Sequence, residues 1–140
     1  MASDLGSELR TLVAERARHR CEYCLLHDDD AYFAHQIDHI ISRKHGGLSE
    51  RENLAYACFR CNVWKGSDIG TRNPKTGRMI VLFNPRRDRW SDHFALRGFV
   101  IEPLTPRGEA TARLLKFNSE KRVAERRLLI ALGRFPCGRQ

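Results

Sequence analysis

An α+β fold is what this 140-residue sequence predicts. Apolar residues recur at helical spacing near both ends, and short branched and aromatic runs bounded by turn residues lie between them. Two C-x2-C pairs punctuate the first half. A single domain, residues 1–140, fits this length, since a chain of this size buries a real core. A hydrophobic content of 41% excludes wholesale disorder. No run approaches the ~18 apolar residues of a membrane span. The N-terminal MASDLGSELR carries two acids and lacks the basic-then-apolar pattern of a signal peptide. A reducing, cytoplasmic setting is therefore expected, in which paired cysteines read as metal ligands before they read as disulfides.

The first helix is expected over residues 7–18, with Leu9, Leu12, Val13 and Ala17 at helical spacing and Ser7 as a cap. It delivers the chain to Cys21-Glu22-Tyr23-Cys24, followed by the acidic Asp28-Asp29-Asp30. Residues 32–41 read as a strand, Gly46-Gly47 as a turn, and residues 48–57 as the return to Cys58-Phe59-Arg60-Cys61. Residues 62–65 suit a short helix stopped at Gly66. Beyond it, turn chemistry at residues 73–77 precedes strand candidates at 78–83 and 98–101. Thr105-Pro106 caps a helix over 106–117, and Ser119 caps another running to Leu132. Leu128, Leu129 and Leu132 give that last helix an apolar face, with Arg122, Arg126 and Arg127 on or near the other.

Tetrahedral zinc takes four soft ligands, and a two-residue spacer lets two thiolates on one tight turn reach the same ion. Two such pairs in one chain predict one structural zinc on Cys21, Cys24, Cys58 and Cys61, leaving Cys137 spare. The formal charge of +8 is uneven: residues 1–70 hold 9 Lys/Arg against 11 Asp/Glu, and residues 71–140 hold 16 against 6. Basicity gathered in one half suits a polyanion such as nucleic acid. Arg86, Arg87 and Arg89 either contact phosphates or pair with Asp88, Asp92 and the N-terminal acids to hold the halves together.

The run HQIDHIISRKHGG, then ENL, then CFRCNVWKG resembles the HNH endonuclease family, in its zinc-knuckle variant, over roughly residues 18–68. LFNPRRDRWSDHF and LTPRGEATARLLKFN resemble the C-terminal half of bacterial, notably cyanobacterial, HNH proteins. The resemblance implies a ββα-metal (His-Me finger) core with a structural zinc. An N-terminal helix and a basic extension over residues 69–140, with short strands and two C-terminal helices, flank it. His39 then matches the general base, and Asp38 and Asn62 match the oxygen ligands of a catalytic Mg²⁺ or Mn²⁺. Asn53 matches the asparagine that steadies the loop, and Lys65 a phosphate contact. His45 reads as an exposed turn histidine, with an approach to the phosphate or the leaving group as the alternative. As strand neighbours, Asp38 and His39 point to opposite faces unless a twist or bulge brings both to one site.

The implied activity is metal-dependent cleavage of phosphodiester bonds in DNA, by in-line attack of water leaving a 5′-phosphate and a 3′-hydroxyl, with RNA open as a substrate. The alternative is a non-catalytic, zinc-stabilised nucleic-acid-binding module. Asp38, His39, Asn53 and Asn62 in the family's order favour the enzyme, because a binding module has no need of that set.

Overall fold

In the computed structural model, which describes residues 5–137, helix α1 (Ser7–Arg16) buries Val13 and Ala14. Gly6, rather than Ser7, occupies its N-cap. Strand β1 (Gln36–His39) pairs antiparallel with β2 (Leu54–Ala57), in a register that sets Asp38 opposite Ala55 and His39 opposite Leu54. Both strands are shorter than the sequence suggests. His35 is drawn instead to the Leu26 carbonyl through Nε2, and residues 51–53 close a 3-10 turn before β2. Helix α2 (Phe59–Lys65) follows β2 directly, with Cys58 as its N-cap and Gly66 at φ 53° after its end.

The remainder adds two further antiparallel pairs, β3 (Gly70–Arg72) with β4 (Met79–Val81), and β5 (Phe94–Arg97) with β6 (Val100–Pro103). A four-residue helix α3 (Trp90–His93) leads into β5. Thr105 caps α4 (Pro106–Leu114), its hydroxyl accepting from the Gly108 amide at 3.0 Å, and Pro106 takes the first helical position. Helix α5 (Glu120–Ala131) ends before Gly133, whose φ of 71° stops it.

One apolar cluster joins the two halves: Tyr23, Ile40 and Ala57 pack in the same core as Phe83, Phe94, Ile101, Leu115 and Phe117. The Trp90 indole donates to the Tyr23 carbonyl at 2.8 Å, and Arg86 pairs with Glu22.

Helix α5 overturns its predicted orientation. Arg122 and Arg126 are 6% and 4% exposed, whereas Leu128 and Leu132 are each 62% exposed. The buried face of this helix is set by what lies beneath it, a cluster of four sulfurs.

Candidate metal centre and active site

The Sγ atoms of Cys21, Cys24, Cys58 and Cys61 lie within 4.8 Å of one another, and all four residues are buried. Each pair forms the same tight turn. The Cys24 amide faces Cys21 Sγ and the Cys61 amide faces Cys58 Sγ, both at 3.4 Å. The Cys24 and Cys58 sulfurs are 3.7 Å apart and all four thiols are free, far from a disulfide bond. Four Zn–S bonds of ~2.3 Å in a tetrahedron place sulfurs roughly 3.8 Å apart, so the donor set fits zinc. Burial pushes the Cys21 and Cys61 thiols well above the ordinary thiol range, while hydrogen bonds from Cys21, Cys58 and Cys61 hold Cys24 well below it. Four buried thiolates are tenable together only around a cation. Cys137, beyond α5, takes no part; its carbonyl accepts from Arg20.

A second site gathers at the connection between β1 and β2. Between β1 and β2 the chain makes a long loop held by one side chain. Asn53 Oδ1 accepts from the Ile41 amide at 2.9 Å, and its Nδ2 donates to the carbonyls of Ile41 and Leu48 at 2.8 and 2.9 Å. Gly47 is required in this turn because a Cβ there would lie 1.7 Å from the Ile41 carbonyl oxygen. The loop carries Ser49 to His39, whose Nε2 is 2.9 Å from Ser49 Oγ. With Nε2–H donating to that hydroxyl, Nδ1 is the unprotonated atom of a half-exposed ring. Partial burial, reinforced by the positive charges of Arg43 and Lys65, lowers the His39 pKa below the ordinary histidine value. A neutral imidazole with one free nitrogen is equipped to accept a proton from water.

Asp38 departs from its expected role. No bulge rotates β1, so strand alternation turns Asp38 inward, opposite His39. Its carboxylate is 3% exposed, accepting from the Tyr23 hydroxyl at 2.7 Å and facing Lys65 Nζ at 3.3 Å. Burial raises its pKa, against the opposing pull of Lys65 and Tyr23. The carboxylate that the family pattern gives to a cation is thus engaged by Tyr23 and Lys65 in this fold. Asn62, half-buried on α2, makes no side-chain hydrogen bond among the described residues and keeps its amide oxygen available.

Lys65 corrects a second expectation. It is 2% exposed, and Nζ also donates to the carbonyls of His39 and Ile40, so it does not reach phosphate. It lies four residues after the buried Cys61, on the same face of α2. Arg86 is a third correction: its guanidinium is committed to Glu22 and the Leu54 carbonyl. Arg87 and Arg89 are exposed, while Asp88 between them binds Arg107. Of the residues that matter here, sequence reasoning missed Ser49, Tyr23 and Arg122. Ser49 carries no spacing signal, and Tyr23 is hidden inside a knuckle.

Two of the other histidines are held by polar partners. His93 Nδ1 meets Thr105 Oγ1 at 2.6 Å, and His19 binds Asp28 at 2.9 Å. His27, Asp28 and Asp29 form a surface cluster whose polar atoms already bond one another, His19 and Tyr56. His45 is exposed in its turn. No helix is long and apolar enough to cross a membrane among the described residues.

No curated protein and no solved structure matches the chain significantly. A family model does match, over the stretch that runs from the first knuckle through the Asn53 loop to the end of α2. Residues 21–68 match the family model of the HNH endonucleases, and their four-cysteine cluster fits the zinc-knuckle form of that family.

Proposed function

We propose that the chain is a metal-dependent endonuclease that hydrolyses phosphodiester bonds in DNA, with His39 as the general base. The observation that carries this reading is the placement of His39. It sits on an HNH segment, half-exposed, with Nε2 engaged by Ser49 in a loop that Asn53 fixes. Nδ1 takes a proton from water as that water's oxygen attacks phosphorus in line with the departing 3′-oxygen. A hard divalent cation, Mg²⁺ or Mn²⁺, would neutralise the phosphate when bound, and Asn62, whose amide oxygen is uncommitted, would hold it alongside substrate oxygens. Asp38 serves as a positioning residue, tying β1 to α2 through Lys65 and to the first knuckle through Tyr23.

In this reading the cysteine cluster holds a structural zinc, the segment around residues 18–68 is a ββα-metal core, and residues 69–140 brace it. The order β1, loop, β2, α2 supports that core. Arg87 and Arg89 supply sequence-independent phosphate contacts.

Nicking of supercoiled plasmid tests the proposal. Wild-type protein is expected to nick with Mg²⁺ or Mn²⁺ and to stop when that cation is chelated. Zinc-loaded protein that binds DNA without cutting it under any divalent cation would point to a binding module instead. A matched RNA substrate in the same assay fixes the substrate class.

A further inference from the structure

Helix α5 buries arginines and exposes leucines, an arrangement that costs free energy unless something beneath the helix rewards it. Arg122 NH2 lies 3.3 Å from Cys61 Sγ and 3.8 Å from Cys58 Sγ, while NH1 donates to the Leu115 carbonyl at 2.8 Å. Arg126, one turn on, donates to the carbonyls of Phe99 and Phe117, each at 2.8 Å. No carboxylate pairs with either guanidinium among the described residues. Carbonyls satisfy N–H donors but do not cancel a full charge. Four thiolates around one Zn²⁺ leave two negative charges in the core, and the two arginines bring two positive ones.

We propose that Arg122, with Arg126 behind it, is the counter-charge of the cysteine metal centre, and that α5 docks on the core because that centre is loaded. This rests on the zinc reading above. The guanidinium of Arg122 spans both elements: one nitrogen holds the second knuckle, the other holds the C-terminal end of α4. Arg60 of α2 adds a two-pronged pair with Glu125 of α5, at 2.7 and 3.0 Å. The C-terminal extension is then a functional part of the zinc site, supplying counter-charge through Arg122 and Arg126. Partners outside a metal's ligand set commonly tune its affinity by roughly ten- to a hundredfold.

The test is a zinc competition on the full chain, in which a chromophoric chelator withdraws metal from wild type, Arg122→Gln, Arg122→Lys and the exposed control Arg127→Gln. Zinc bound at one per chain in the wild type establishes the starting state; wild type free of zinc would remove the zinc reading and this inference with it. Arg122→Gln is expected to release zinc roughly tenfold more readily, with Arg122→Lys intermediate and Arg127→Gln unchanged. Wild-type zinc affinity in Arg122→Gln would overturn the counter-charge role while leaving the zinc reading intact. Hydrogen exchange on the wild type does not depend on any variant folding: stripping zinc should speed exchange at the α5 amides around Arg122 and Arg126, and unchanged exchange there would equally overturn the proposal.

Discussion

Asp38 and Lys65 face each other at 3.3 Å inside the core, so that the carboxylate next to His39 in sequence points away from it in space. Both side chains are almost fully buried, and the Tyr23 hydroxyl completes the group. This pair locks β1 against α2, and the backbone that it locks carries His39: Lys65 also binds the His39 carbonyl.

Removing one partner strands the other charge. Lys65→Met should destabilise the fold by about 3–5 kcal/mol, and Asp38→Asn by a similar amount, whereas Asp38→Asn combined with Lys65→Met should recover much of the loss. Denaturant midpoints at fixed zinc concentration measure this. Two single variants with near wild-type stability would show that the pair is solvated and that Asp38 is free to bind a cation.

The loop between β1 and β2 depends on Asn53. Asn53→Ala deletes three hydrogen bonds and should cost about 2–3 kcal/mol. Asn53→Asp keeps the acceptor for the Ile41 amide but sets a carboxylate against two carbonyl oxygens, and should be no better than alanine. Gly47→Ala should be damaging in the same assay, because its methyl group meets backbone rather than a movable side chain. A stable Asn53→Asp protein would contradict this picture of the loop.

Charge in the C-terminal half divides into internal and external parts. Arg86, Arg107 and Arg134 pair with Glu22, Asp88 and Asp30, leaving Arg87 and Arg89 facing water. Arg87→Gln with Arg89→Gln should weaken DNA binding uniformly across sequences and reduce the slope of log affinity against log salt by about 2. Arg86→Gln should lower the unfolding midpoint and leave that slope alone. The reverse assignment of effects would move the phosphate track to Arg86.

The sequence exposes the metal centre and the Gly46-Gly47 turn well because their chemistry is local: two-residue cysteine spacers and a glycine pair read directly, whereas the role of Asn53 comes through the family resemblance alone. Thr105-Pro106 and Gly133 mark helix ends for the same reason. What composition hides is long-range. A lysine in KG and arginines in a charged helix look solvated, and only the fold shows that Lys65 meets a carboxylate 27 residues away and Arg122 a cysteine sulfur 61 residues away. The spacing of Lys65 from Cys61, one helical turn, is the local clue that it shares a buried face. Strand alternation did carry the information that Asp38 and His39 diverge, and the burial of Asp38 beside a half-exposed His39 follows that rule.

His39 is the centre of the account, and its titration is the most direct test. Because its pKa lies below the ordinary histidine value, the neutral base persists to lower pH. Single-turnover nicking by the wild type should therefore rise with pH on a limb centred below ~6.5 and level off by neutrality. Ser49→Ala should lower the plateau roughly tenfold, about the worth of one hydrogen bond holding the ring. The decisive comparison is His39→Ala against wild type across that range at saturating Mg²⁺ or Mn²⁺. A loss of roughly a hundredfold or more, with the pH limb abolished, is the predicted result. Equal cleavage by the two proteins, with the limb intact, would contradict it.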